Sequence, residues 1–174
     1  MIIQEHDMLD HIVDHSMQVC RVAVYLAEAL ASRGFQINQK LVQASALLHD
    51  ITKTKSFNTG ENHAETGGQL ISSLGYPEVG QIIRQHVRLD TYFTSHIPEE
   101  TEIVNYADKR VLHDRIVSLK ERMDYILEKY GKTPEYRTKI QWLCRKSDEI
   151  EERLFRPLEC NPASLKQMVE AKTG

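Results

Sequence analysis

An all-α fold is the expectation for this chain, and three features of its sequence support it. Apolar residues recur three and four positions apart over most of its 174 residues, as they do on one face of a helix. No convincing period-two alternation marks a strand, and no internal repeat or low-complexity tract is present. Glycines and helix-starting residues punctuate the pattern: Gly34, Gly75 and Gly131 as stops, and Asn38, Asn62, Pro77 and Pro134 as starts.

The first helix carries the stripe Val19, Val22, Ala23, Leu26 and Leu30. His15 opens it, one turn ahead of Val19 on the face to be buried, and Gly34 ends it. In the second, capped by Asn38, Leu41, Ala44, Ser45 and Leu48 point inward, so His49 follows on the inward side and Asp50 stands at the C-terminal edge. Residues 51–60, rich in Thr, Lys and Ser, read as a loop. Asn62 and Glu65 have the spacing of a capping box, which places His63 in the first turn of a third helix ending at Leu74 and Gly75. Pro77 starts a fourth, in which Val79, Ile82, Ile83 and His86 share one stripe. After a loop over residues 90–98, Asp108 lies four residues beyond Val104 and three before Val111, again on an apolar face. The pattern Ile116, Leu119, Met123, Ile126, Leu127 and Tyr130 describes a long amphipathic helix stopped by Gly131, and a partner helix follows Pro134. Beyond Arg156 and Pro157 the expectation is a loop and a short, weakly held helix.

Two carboxylates and four histidines thus fall on the inward sides of successive helices, where each would cost several kcal/mol if left unpaired. A shared metal centre removes that cost, because imidazole and carboxylate are transition-metal ligands. His6, His11, His96 and His113 stand in polar or segment-end contexts and are expected at the surface.

The ordered set His15, then Leu47-Leu48-His49-Asp50-Ile51-Thr52-Lys53, then His63, His86 and Tyr106-Ala107-Asp108 resembles the HD domain superfamily of metal-dependent phosphohydrolases, over residues 9–119. The resemblance implies a helical bundle around a mono- or binuclear site. His15, His49, Asp50 and Asp108 match the superfamily's basic ligand set, and His63 and His86 match the extra histidines of its binuclear members, in which the doublet's aspartate bridges two ions. The chain is most similar to small bacterial phosphohydrolases that act on nucleotides. It departs from many relatives in carrying Thr52 where they have glycine. The tripeptide Gly75-Tyr76-Pro77 also resembles the cyclic-dinucleotide phosphodiesterase branch, but here it precedes a single histidine, and a helix stop followed by a helix start accounts for it.

The implied function is hydrolysis of a phosphate ester or anhydride of a nucleotide or other small phosphorylated metabolite, by water activated on one or two ions of Fe, Mn, Co, Ni or Zn. Asp50 and Lys53 are the candidate catalytic residues, and Lys53, Arg88 and Lys109 the candidate phosphate-binding cations. The alternatives are an oxygen-activating di-iron centre of the same type and a nucleotide-sensing module without turnover. A net charge of −3 gives no global basic field for extended nucleic acid. Cys20, Cys144 and Cys160 form neither a disulfide framework nor a zinc knot. The longest apolar stretch, residues 22–31, is interrupted by Glu28 and too short to span a bilayer, and Glu5, Asp7 and Asp10 stand where a signal peptide would be basic. The expected location is the cytoplasm. The expected organisation is a domain over residues 1–130 and a C-terminal helical hairpin and extension over 131–174, packing on that domain or on a second subunit in a homo-oligomer.

Overall fold

The computed structural model describes residues 6–93 and 95–173. Glu5 and Thr94, which fall within segments read above, lie outside the described residues. The helices run α1 (Asp10–Ser32), α2 (Gln39–Leu48), α3 (Lys53–Thr59), α4 (His63–Ser73), α5 (Pro77–Arg84) and α6 (Glu100–Lys109). A hairpin of β1 (Val111–Leu112) and β2 (Arg115–Ile116) follows, then α7 (Leu119–Tyr130), α8 (Pro134–Phe155), a 3-10 turn (Pro162–Ser164) and α9 (Leu165–Thr173). The fold is all-α, as the periodicity predicts. None of the described helices is long and apolar enough to cross a membrane.

The main core forms where α1 crosses α6 and the C-terminal helices. Val19, Val22, Leu26 and Leu30 of α1 meet Ile103, Val104 and Ala107 of α6, Ile150 and Leu154 of α8, and Leu165 and Val169 of α9. A second cluster, Met8, Ile12, Ile51, Ile71 and Ile83, lies beneath α4 and α5. Helix α1 begins one turn earlier than His15 because Ile12 extends the buried stripe toward its N-terminus. Helices α4 and α5 touch backbone to backbone. A Cβ at Gly68 would stand 2.7 Å from the Gly80 carbonyl oxygen, and one at Gly80 would stand 2.5 Å from the Gly68 oxygen. This close approach fixes the start of α4 and the end of α5, which carry His63 and His86, relative to each other.

Three segments differ from the sequence reading. Residues 53–59 are helical and not loop; α3 buries none of its residues, so it has no apolar stripe to betray it, and Gly60 stops it at φ +70°. Ile116 belongs to β2 and not to the helix after it, because the Ser118 side chain accepts a hydrogen bond from the Glu121 N–H (3.1 Å) and caps α7 there. Two-residue strands are too short to show alternation. The tail is also better anchored than its composition suggests: Asn161 caps the 3-10 turn through the Ala163 N–H (2.9 Å), and Leu165 and Val169 are buried against the main core.

Candidate metal centre

Each of the six inward polar residues sits at the end of an element or one turn from it, where the backbone can aim a side chain without interrupting a helical ladder. Helix α2 ends at Leu48, so His49 caps it and Asp50 follows in the turn. His63 opens α4 behind Asn62, whose side chain accepts from the Ala64 N–H (3.0 Å). The reciprocal bond expected from Glu65 gives way to a pairing with Arg84 at 3.7 Å. His86 lies just past α5, which ends at Arg84, and Asp108 is in the last turn of α6.

These side chains converge. Asp50 Oδ1 lies 3.2 Å from His63 Nε2 and 3.5 Å from His86 Nε2, while its Oδ2 lies 3.4 Å from His49 Nε2. Asp108 Oδ1 lies 3.2 Å from His15 Nε2 and 3.8 Å from His49 Nε2. Two groups could each hold an ion: His15, His49 and Asp50, and Asp50, His63 and His86. Asp50 is common to both, with Asp108 beside the first.

The protonation pattern favours a cation. Three of the rings donate Nδ1–H to backbone carbonyls: His15 to His113 (2.8 Å), His49 to Ala46 (2.8 Å) and His86 to Ile83 (2.7 Å). A neutral imidazole has only one N–H, so each of these rings presents an Nε2 lone pair to the centre. The Nε2 atoms of His15, His49 and His86 then face carboxylate oxygens, and His63 Nε2 lies 3.2 Å from that of His86. His49 Nε2 and Asp50 Oδ1 are buried with no hydrogen-bond partner. Burial pushes the His86 pKa down to about 4, which keeps its ring neutral. Burial also works against the Asp50 charge, but His49, His63 and His86 more than offset it and hold the carboxyl well below its ordinary range. Imidazole nitrogens and carboxylate oxygens that converge in a buried centre, with His49 Nε2 and Asp50 Oδ1 unpartnered, fit a positive ion there.

The cations expected around this set separate. Lys53 Nζ is 2.6 Å from Asp50 Oδ2 and lines the same cleft, which has a volume of about 560 Å³. Lys109 is buried and donates to the carbonyls of His86 and Asn105 (3.0 Å each), and burial lowers its pKa to about 8. It therefore braces the backbone beneath His86 while lining the same cleft. Arg88 is exposed and does not line the cleft. His11 and His113, expected at the surface, are exposed and also line it.

Sequence reasoning missed four contributors. Arg122 of α7 lines the cleft with Nη2 3.8 Å from Asp108 Oδ1; a charged residue beside an amphipathic stripe is too ordinary to stand out. Phe57, Tyr125 and Tyr130 line its outer part from α3 and α7. Supporting bonds were equally silent: Asn105 donates to the Gln85 and His86 carbonyls (2.9 and 3.0 Å), and Thr52 Oγ1 donates to the His63 carbonyl at 2.8 Å. The Thr52 hydroxyl thus ties the turn after the doublet to the start of α4.

Comparison with known proteins agrees with this geometry. A tRNA (cytidine(56)-2'-O)-methyltransferase of Picrophilus torridus is 31% identical over 137 residues, covering 71% of this chain and 38% of that protein. An uncharacterised protein of Methanocaldococcus jannaschii is 29% identical over 79 residues, covering 45% of this chain and 46% of that protein. The chain thus spans less than half the length of either curated relative. No solved structure matches it. The HD domain family matches residues 12–111, more than half of the chain and the whole span from His15 to Asp108, and the chain belongs to that family.

Proposed function

We propose that the chain is a phosphohydrolase that uses metal-activated water to cleave a phosphate ester or anhydride of a nucleotide or another small phosphorylated metabolite. Its family points to a metal-dependent hydrolase. The step from hydrolase to phosphohydrolase is supported by one observation above all: the converged His and Asp atoms share a cleft with cationic side chains, Lys53 and Arg122 among them.

His15, His49, Asp50 and Asp108 would hold one divalent ion, and Asp50, His63 and His86 a second. Bound there, such ions lower the pKa of water and neutralise phosphoryl oxygens. The protein's own groups do the rest. Asp50 divides its two oxygens between the histidine pairs, Oδ1 toward His63 and His86 and Oδ2 toward His49. Lys53 is held against Asp50 and about a quarter exposed, so it can swing its point charge to a phosphate oxygen within the cleft. The backbone carbonyls that accept from His15, His49 and His86 keep their rings oriented, each with Nε2 turned toward the centre.

The test is a phosphate-release screen across nucleotides, phosphomonoesters and short RNAs, run before and after chelation. Release abolished by chelator and restored by one divalent metal supports the proposal. Oxygen consumption with a mixed-valent iron signal and no phosphate release would transfer the site to the di-iron reading, and tight nucleotide binding without any turnover would transfer it to the sensing one.

A further inference from the structure

We infer that the cleft holds a nucleoside monophosphate unit, its phosphate gripped by Arg122 beside the ligand set and its base laid against Phe57, Tyr125 and Tyr130 at the mouth. This rests on the phosphohydrolase reading for the position of the phosphate.

The first observation is Arg122. Its side chain is only 14% exposed, its Nε is buried without a hydrogen-bond partner, and Nη2 stands 3.8 Å from Asp108, beyond hydrogen-bond length. A buried N–H without an acceptor is costly, and an arginine fork is matched by two phosphate oxygens. The comparably buried Arg110 shows what a structural arginine looks like here: its Nε, Nη1 and Nη2 all donate to protein oxygens. Arg122 lacks that closure and faces a cleft.

The second observation is the mouth. Phe57 is 61% exposed and Tyr130 53% exposed, yet both line the cleft, as does the half-buried Tyr125 of α7. Lys129 Nζ stands 5.5 Å from the Tyr125 ring centroid and 5.4 Å from that of Tyr130. Exposed rings beside a cation are a stacking platform, which every base can use because every base has a π-face. A cleft of about 560 Å³ lies within the range of small-ligand sites. A sugar phosphate alone would leave these rings in water.

Free nucleotides and the end of an RNA present the same unit. The experiment measures binding by calorimetry to the purified, metal-containing protein. The ligands are the non-hydrolysable phosphonate analogues of adenosine 5'-monophosphate and ribose 5-phosphate, adenosine itself, and a short single-stranded RNA with the same phosphonate at its 5' end. The adenosine analogue should bind at least about tenfold tighter than the ribose analogue. The double variant Phe57→Ala/Tyr130→Ala should bring that ratio close to one, while Phe57→Trp, which keeps a π-face, should preserve it. Arg122→Gln should weaken the phosphonate ligands by about tenfold but not adenosine. Tighter binding of the RNA than of the free analogue assigns the unit to an RNA end, and the reverse assigns it to free nucleotides. Equal binding of the two analogues, or a preference that survives the double variant, overturns the inference. If metal and phosphate release persist in that case, the hydrolase reading stands without the platform; if the base preference is intact in a protein that holds no metal, the platform stands and the hydrolase reading falls.

Discussion

Helix α6 carries a buried polar cluster on each of two sides, and they are built on opposite principles. On one side Tyr106 and Arg110 meet Glu151 of α8: the tyrosine hydroxyl donates to the carboxylate, and the guanidinium donates to the hydroxyl, to the carboxylate (3.0 Å) and to the carbonyls of Val117 (2.7 Å) and Pro162 (3.1 Å). On the other side Asp108 joins His15, His49 and Asp50, where buried atoms are left without partners. A closed network has nothing to offer a ligand and serves to join α6, the hairpin, α8 and the C-terminal turn. An open one, assembled at similar burial, is stable only when something positive completes it. The distinction turns on hydrogen-bond closure, since both clusters are largely buried.

The largest effect should come from opening the comparison at Asp50. Asp50→Asn keeps the shape but removes the charge common to both candidate ion groups, so metal content and phosphate release should fall by more than about a hundredfold, beyond the loss typical of supporting partners. Circular dichroism should show the helices retained, because the α1–α6 core does not include this residue. Full activity in this variant would remove Asp50 from the site.

Breaking the closed network should do the reverse. Arg110→Ala leaves the Tyr106 hydroxyl and Glu151 without their cation and should lower stability by about 3 kcal/mol, with metal content per folded molecule maintained. Denaturant unfolding and elemental analysis on the same preparation would check it. A variant that keeps its stability but loses its metal would mean that the two clusters are not separate devices.

Smaller still is the expected effect of Thr52→Gly. Losing the bond to the His63 carbonyl should loosen His63 and weaken the metal it helps to hold by about tenfold, with little change at the His15 side. Two-phase metal release during chelator titration would show it, and an unchanged titration would return Thr52 to a purely structural role.

The two sides of α6 also differed in how they could be read from sequence. His15, His49, His86 and Asp108 announced themselves as polar residues at helical spacing on apolar stripes, because burial forces a polar side chain to have a reason. Arg122, Phe57 and Tyr130 left no such mark, since a cation or a ring at a half-exposed position breaks no pattern. Lys109 and Arg88 were ambiguous in sequence for a related reason. Adjacency to a ligand in sequence says nothing of direction, and one side chain turned under His86 while the other turned to solvent. Helix α3 escaped notice because it buries nothing, and the hairpin because its strands are two residues long.

Anomalous scattering from crystals of the purified protein, at the absorption edge of the metal found by elemental analysis, tests the central claim most directly. The account expects a peak within bonding distance of His15, His49, Asp50 and Asp108, and a second between Asp50, His63 and His86 when both positions are filled. An ordered metal elsewhere, or phosphate release by a protein in which these six side chains hold none, would contradict it.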